Sequence, residues 1–232
     1  MIFEKQEDHH VVKQDRAIRT RRTILQAAAK VFEERGYQAA TIAEILSTAG
    51  VTKGALYFHF GSKEHLAQGV LNEQDQRLVV PDRERKLQQL ADVVLLHAYR
   101  LQSDPMVRAG VRLTMDQHAE GLDRSGPFVR WSDVCRELLE KAQAQDELLP
   151  RIVPSVTADI VVSAFAGVQS MSQAVSDYRD LRPRTSELLR HLFPGIGVPS
   201  VVALLDLSES RGKKVYDEIL RLQDKQPAAA VS

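Results

Sequence analysis

Apolar residues recur at helical spacing along nearly the whole chain. From Arg16 to Arg35 they fall at Ile24, Ala27, Ala28, Val31 and Phe32, lining one face of a helix that Gly36 ends. Thr41-Ile42-Ala43-Glu44 reads as a capping box, the threonine hydroxyl taking an orphan N–H while the glutamate reaches back. A second helix then runs to about Ala49 with Ile42, Ile45 and Leu46 on its apolar face, and Gly50 makes the turn. Thr52 caps a short third helix, Lys53 to about His59, and Ser62 caps a fourth. Beyond Val80 the pattern predicts a helix from Pro81 to about Leu101, a short stretch over 105–119, and a helix from Pro127 to about Glu147. In this last one Phe128, Trp131, Cys135, Leu138 and Ala142 stand in register. Further helices follow over about 156–178 and from Pro183 to His191, then a loop at Pro194, Gly195, Gly197 and Pro199, then an amphipathic helix over about 200–222. With no repeat and no Asn-Gly hairpin signal, the fold class is all-α: a small N-terminal three-helix domain joined to a larger C-terminal helical domain.

The expected divisions are a disordered extension over 1–12, a first helical domain over 13–63, a larger helical domain over 64–223, and a flexible tail over 224–232. Initiation near Val12 instead of Met1 is an alternative for the extension, and its His9-His10 pair is not taken as a metal site. The 232 residues carry 31 Lys+Arg against 31 Asp+Glu and are 44% hydrophobic, which excludes a disordered chain, a collagen-like repeat or a disulfide scaffold. The single cysteine, Cys135, leaves no intramolecular disulfide to form and fits a cytoplasmic setting. The longest apolar stretch, 158–175, is broken by Asp159, Gln169 and Gln173, so no membrane span is expected, and the N-terminus has no apolar core of a signal peptide.

The overall charge balance hides an asymmetry. Between residues 13 and 63 nine bases (Lys13, Arg16, Arg19, Arg21, Arg22, Lys30, Arg35, Lys53, Lys63) face four acids (Asp15, Glu33, Glu34, Glu44). A basic N-terminal module on an acidic body is the footprint of a nucleic-acid reader with a second domain, although a solvated charged face has the same composition. The helix, glycine turn and short helix of 41–60 have helix-turn-helix spacing, with the second helix entering the major groove N-terminus first. Lys53 in its first turn can reach a guanine edge or a phosphate, and Gly54 lets the backbone approach closely. Thr41, Thr52, Tyr57 and Lys63 suit phosphate contacts, with Arg16 and Arg22 along the flanking backbone. His59 reads equally as a DNA contact and as a packing residue.

The run Thr52-Lys53-Gly54-Ala55-Leu56-Tyr57-Phe58-His59-Phe60, with Ser62-Lys63-Glu64 after it and Phe32-x-x-x-Gly36-Tyr37 before it, closely resembles the TetR family of one-component transcriptional regulators. Val107 to Leu113, Gly126-Pro127-Phe128-x-x-Trp131, Ser176-Asp177-Tyr178, Val198-Pro199-Ser200 and Leu205-Asp206-Leu207-Ser208 resemble its γ-butyrolactone receptor branch over most of the chain. The resemblance implies a homodimeric repressor that holds a pseudo-palindromic double-stranded DNA operator with a helix-turn-helix DNA-binding domain over 13–63, is released by a small lactone or furan signal bound in a ligand-binding and dimerisation domain over 64–223, and controls secondary metabolism or antibiotic production. Sister proteins of the branch answer to antibiotics or to no small molecule.

On the same resemblance Trp131 lines a ligand site, its indole N–H donating to a lactone carbonyl, with Gln68, Ser163, Ala164, Phe165 and Val168 as further ligand-binding candidates. Family pockets place a small hydroxyl near Phe165, where this chain has Ala164 beside it and Ser163 one position back. No cofactor and no metal are expected. An enzyme is disfavoured: His118 lies two residues from Asp116 and from Glu120, a spacing that faces neither of them on a helix, and no hydrolase, nucleotide-binding or zinc-protease motif occurs.

Overall fold

The structure is a computed structural model describing residues 4–73, 80–116, 119 and 121–225; of residues 4–13, 15 and 225 it describes the backbone alone. The described residues form eleven helices and no sheet; Leu148 and Gly197 make one isolated antiparallel bridge. The all-α expectation holds. The chain divides into two compact units, one comprising Met1–Arg77 and Pro105–Arg124, the other Leu78–Asp104 and Ser125–Ser232.

The first unit holds α1 (Glu4–Ala39), α2 (Ile42–Ala49), α3 (Lys53–His59), α4 (Lys63–Glu73) and, past α5 (Lys86–Ser103), α6 (Pro105–Met115). Helix α1 starts at Glu4, not near Arg16, so residues 4–12 of the expected disordered extension are helical, while 1–3 lie outside the described residues. The segment holds neither Gly nor Pro, and its Glu, Lys and Gln favour propagation of a helix already nucleated downstream. Gly36 breaks α1 at φ +78°, a left-handed conformation that costs glycine little. Ile24, Leu25, Ala28 and Phe32 of α1 are fully or almost fully buried against Ile45, Leu56, Leu66, Val70 and Leu113, at least one residue from each of the other four helices. Arg108 of α6 pairs with Glu33 at 2.5 Å, and Arg112 donates to the Glu33 carbonyl, so α6 ties down the end of α1.

The second unit holds α5, α7 (Ser125–Ala144), α8 (Pro154–Ser176), α9 (Leu181–Ile196), α10 (Pro199–Val202) and α11 (Arg211–Lys225). Its core joins Leu87, Leu90 and Leu95 of α5 to Leu138 and Leu139 of α7, Val161 of α8, and Leu189 and Phe193 of α9. Helix α5 begins at Lys86, later than the Pro81 expected from the pattern. Its N-terminal cap comes from far along the chain: the Glu147 carboxylate accepts from the Lys86 and Leu87 N–H groups, each at 2.8 Å.

The amphipathic helix expected over 200–222 is instead two helices with a turn between them. The Asp206 carboxylate accepts from the Ser208 N–H at 3.1 Å and from its hydroxyl at 2.6 Å, a local bond that competes with helix continuation. Helix α9 runs past Pro194 to Ile196, into the expected loop, and α11 runs to Lys225, into the expected tail, whose residues 226–232 lie outside the described residues.

Helix α11 approaches α5 closely at Gly212, where an added Cβ would sit 2.2 Å from the Leu95 carbonyl oxygen. Gly212→Ala therefore forces the two helices apart. It should destabilise the protein by about 1–3 kcal/mol, read as a lower midpoint in chemical denaturation.

Candidate nucleic-acid interface and effector site

The short helix α3 is set by local chemistry at both ends. Thr41 and Glu44 complete their capping box at the head of α2, with Glu44 N–H to Thr41 Oγ1 at 3.2 Å and Thr41 N–H to Glu44 Oε2 at 3.0 Å. Gly50 turns the chain at φ +63°. The Thr52 hydroxyl accepts from the Ala55 N–H at 3.2 Å, and Leu56 anchors α3 to the core. Ser62 caps α4 through the His65 N–H, also at 3.2 Å.

This anchoring leaves Thr52, Lys53, Gly54, Tyr57 and Phe58 exposed on one short helix. The Lys53 ammonium stands 5.9 Å from the Tyr57 ring centroid. Phe58, which the sequence pattern did not mark, is 80% exposed, the largest exposure among the large apolar side chains described. An aromatic between core positions Leu56 and Phe60 reads as packing; its outward direction follows from the register of a seven-residue helix.

His59 is half-buried, its ring 5.0 Å from that of Phe58 and 6.4 Å from that of Phe60. Burial, with Arg21 adding to it, pushes its pKa below the usual histidine value. Lys63 turns inward, donating to the Gln38 carbonyl at 3.1 Å with its ammonium 4.6 Å over the Tyr37 ring. Burial lowers its pKa. Tyr37, held by Glu64 at 3.1 Å, has its phenol pushed up to about 12 by burial and by that carboxylate. Thr41, Arg16 and Arg22 are exposed.

The effector candidates fall in both units. In the second unit Trp131 of α7 and Phe165 of α8 close on a residue that the sequence did not single out, His97 of α5. Its ring lies 4.5 Å from the Trp131 ring and 5.5 Å from the Phe165 ring, both edge-on. Ala164 and Val168 are half-buried on α8, whereas Ser163, two residues from Phe165 and so on another side of the helix, is exposed. Gln68 belongs to the first unit and bonds Asn72 at 3.2 Å. Cys135 is buried and its thiol is pushed up to about 12 by desolvation, the opposite of an activated nucleophile. His118 and Glu120 lie outside the described residues. Among the described residues no helix is long and apolar enough to cross a membrane.

A capped three-helix core presenting the exposed face of a short second helix defines a helix-turn-helix DNA reader. Residues 24–70 match the sequence pattern described as bacterial regulatory proteins of the tetR family. The A-factor receptor protein of Streptomyces griseus is 43% identical over 195 residues, covering 83% of this chain and 69% of that one. The crystal structure of TylP, a TetR regulator from Streptomyces fradiae, superposes with a TM-score of 0.80 at 47% identity, over 90% of this chain and 93% of that one. A γ-butyrolactone receptor described as ArpA-like superposes at 0.59 with 28% identity, over 91% of this chain and 99% of that one. The chain belongs to the TetR family of transcriptional regulators, in the branch of the γ-butyrolactone receptors, and is a DNA-binding regulator, not an enzyme.

Burial, with Arg100 adding to it, pushes the His97 imidazole down to about 3 from an ordinary 6.5. The folded protein therefore keeps the ring neutral where the unfolded chain protonates it. Stability from this residue is fully present above pH 6.5 and is lost as pH falls from there toward 3. Between pH 7 and pH 5 the wild type should lose about 2 kcal/mol more than His97→Gln, measured by chemical denaturation at each pH.

Proposed function

We propose that this protein is a homodimeric repressor that holds a pseudo-palindromic operator with two copies of α3 and is released by a γ-butyrolactone-like or furan-type signal. It acts in the cytoplasm and controls secondary metabolism or antibiotic production. The single observation that carries the DNA-reading part is the exposure of Thr52, Lys53, Gly54, Tyr57 and Phe58 on a helix whose other side is fixed in a core.

In this mechanism α3 enters the major groove. Lys53 reaches a guanine edge, and the Phe58 ring, which has no polar group, lies against a thymine methyl. Thr41, Thr52, Tyr57, Arg16 and Arg22 hold phosphates and supply the affinity and its salt dependence. Gly54 admits the sugar-phosphate backbone, and Lys63 and His59 support the far end of the helix. Two-fold symmetry places the second α3 about 34–36 Å away, one turn of the duplex further on.

Support for a second copy comes from α8. Val156, Ile160, Met171 and Val175 are exposed along it at intervals near whole turns, with Ser163 and Gly167 between them allowing close helix approach. The effector binds beside Trp131, with Phe165, Ala164 and Val168 as neighbouring wall. It releases DNA by favouring the dimer state in which the two reading helices no longer match the groove spacing. A tenfold loss of operator affinity needs about 1.4 kcal/mol of difference between its affinities for the two states.

Fluorescence anisotropy with a labelled operator duplex from the gene's own promoter region tests both halves. Lys53→Ala should lose about 1–3 kcal/mol of discrimination between operator and scrambled duplex, and Phe58→Ala should lose discrimination at one thymine position. A γ-butyrolactone should release the wild type from the operator. Release by an antibiotic alone would assign the chain to the sister type. Unchanged selectivity in Lys53→Ala would remove α3 from the interface.

A further inference from the structure

Several buried polar groups in the second unit have partners. Asp92 is held by Arg211, Glu147 by two backbone N–H groups, Thr185 by the Leu181 carbonyl and Ser186 by the Leu207 carbonyl. His97 differs from these and sits between two aromatic rings. It is only 8% exposed, yet neither ring nitrogen bonds a described residue; its neighbours are the edges of Trp131 and Phe165. A buried polar group without a partner costs free energy, and such a group is retained where something else completes it.

We propose that His97 is an effector-binding residue whose ring nitrogen accepts a hydrogen bond from a hydroxyl of a small, uncharged, largely apolar molecule lying against Trp131 and Phe165. This rests on the effector reading above and adds the chemistry of the ligand to it. A neutral imidazole carries one N–H and one lone pair, and the lone pair calls for a donor on the ligand. The neighbouring indole has only an N–H and takes an acceptor such as a lactone carbonyl. A carboxylate would leave the imidazole lone pair unanswered and would bury a charge between two aromatic rings. The nearest cation on α5, Arg100, already donates to Asp104 at 3.1 Å.

Trp131 is the only tryptophan in the chain, so its emission reports directly on the site. The probes are a synthetic γ-butyrolactone bearing an alkyl chain and one free hydroxyl, and the methyl ether of the same compound. Wild type should bind the hydroxy compound at least tenfold more tightly than the ether. His97→Leu should bind both with the weaker affinity, and His97→Gln should recover part of the preference. Nitrogen-15 spectra of histidine-labelled wild type need no variant: the His97 ring signal, assigned by its loss in His97→Gln, should shift with the hydroxy compound and not with the ether. Equal wild-type affinity for the two probes, the wild-type preference surviving in His97→Leu, or an unmoved ring signal with the hydroxy compound bound would each overturn the proposal. If the hydroxy lactone releases the operator while His97 makes no difference, only the role of His97 falls. If it neither changes Trp131 emission nor releases the operator, the lactone reading falls and this proposal with it.

Discussion

The second unit is organised around one buried carboxylate. Asp92, fully buried on α5, accepts from Arg83 at 2.7 Å and from two nitrogens of Arg211, each at 2.7 Å, with Gln88 adding a fourth donor at 2.8 Å. Arg83 also grips Glu218 of α11 through both terminal nitrogens, at 2.9 and 2.7 Å. The start of α11, the segment ahead of α5 and α5 itself are thereby fixed to one another, and Gly212 lets the helices meet backbone to backbone at Leu95. Taking away both arginines would leave the Asp92 charge stranded out of water, at about 3–5 kcal/mol. The same bonds hold α5 where its His97 meets Trp131 of α7 and Phe165 of α8.

In the first unit the ordering is mostly local. Each turn between α1 and α4 carries its own capping hydroxyl or left-handed glycine, so the reading helix is placed by residues within a few positions of itself. The apolar anchors then need only bury: Leu56 and Phe60 on one side of α3 match Ile24, Leu25 and Phe32 on α1. Fixing a seven-residue helix, too short to be stable alone, lets its exposed side chains be specified by the ligand they meet instead of by the core.

This difference accounts for what was legible in the sequence. The boundaries of α2 and α3 and the head of α4 follow from Thr41, Glu44, Gly50, Thr52 and Ser62, all local signals, and they stand where the pattern put them. The start of α5 was not legible, because its cap is Glu147, some sixty residues away. Nor was the break before α11, where a single aspartate bonding two residues ahead outweighs an amphipathic stripe. His97 carried no signal of its own. Within α5 it is one position among apolar ones, and it acquires meaning only from Trp131 and Phe165, which the fold alone brings beside it. Phe58 shows the converse: an aromatic flanked by core residues points outward because it lies two residues from both Leu56 and Phe60, which on a helix is the far side from them.

Helix α6 has a consequence for how the molecule is made. The core around α1 is not contiguous in the chain: after α4 the polypeptide leaves to build α5 and comes back only at Pro105, bringing Leu113 for the interior and Arg108 and Arg112 for the end of α1. During synthesis the DNA-reading head therefore remains unfinished until some forty residues beyond α4 have emerged from the ribosome, and a nascent chain halted before that point has an incomplete head to offer a promoter. Completion of the first unit's core thus waits for translation to pass through α5, which belongs to the second unit.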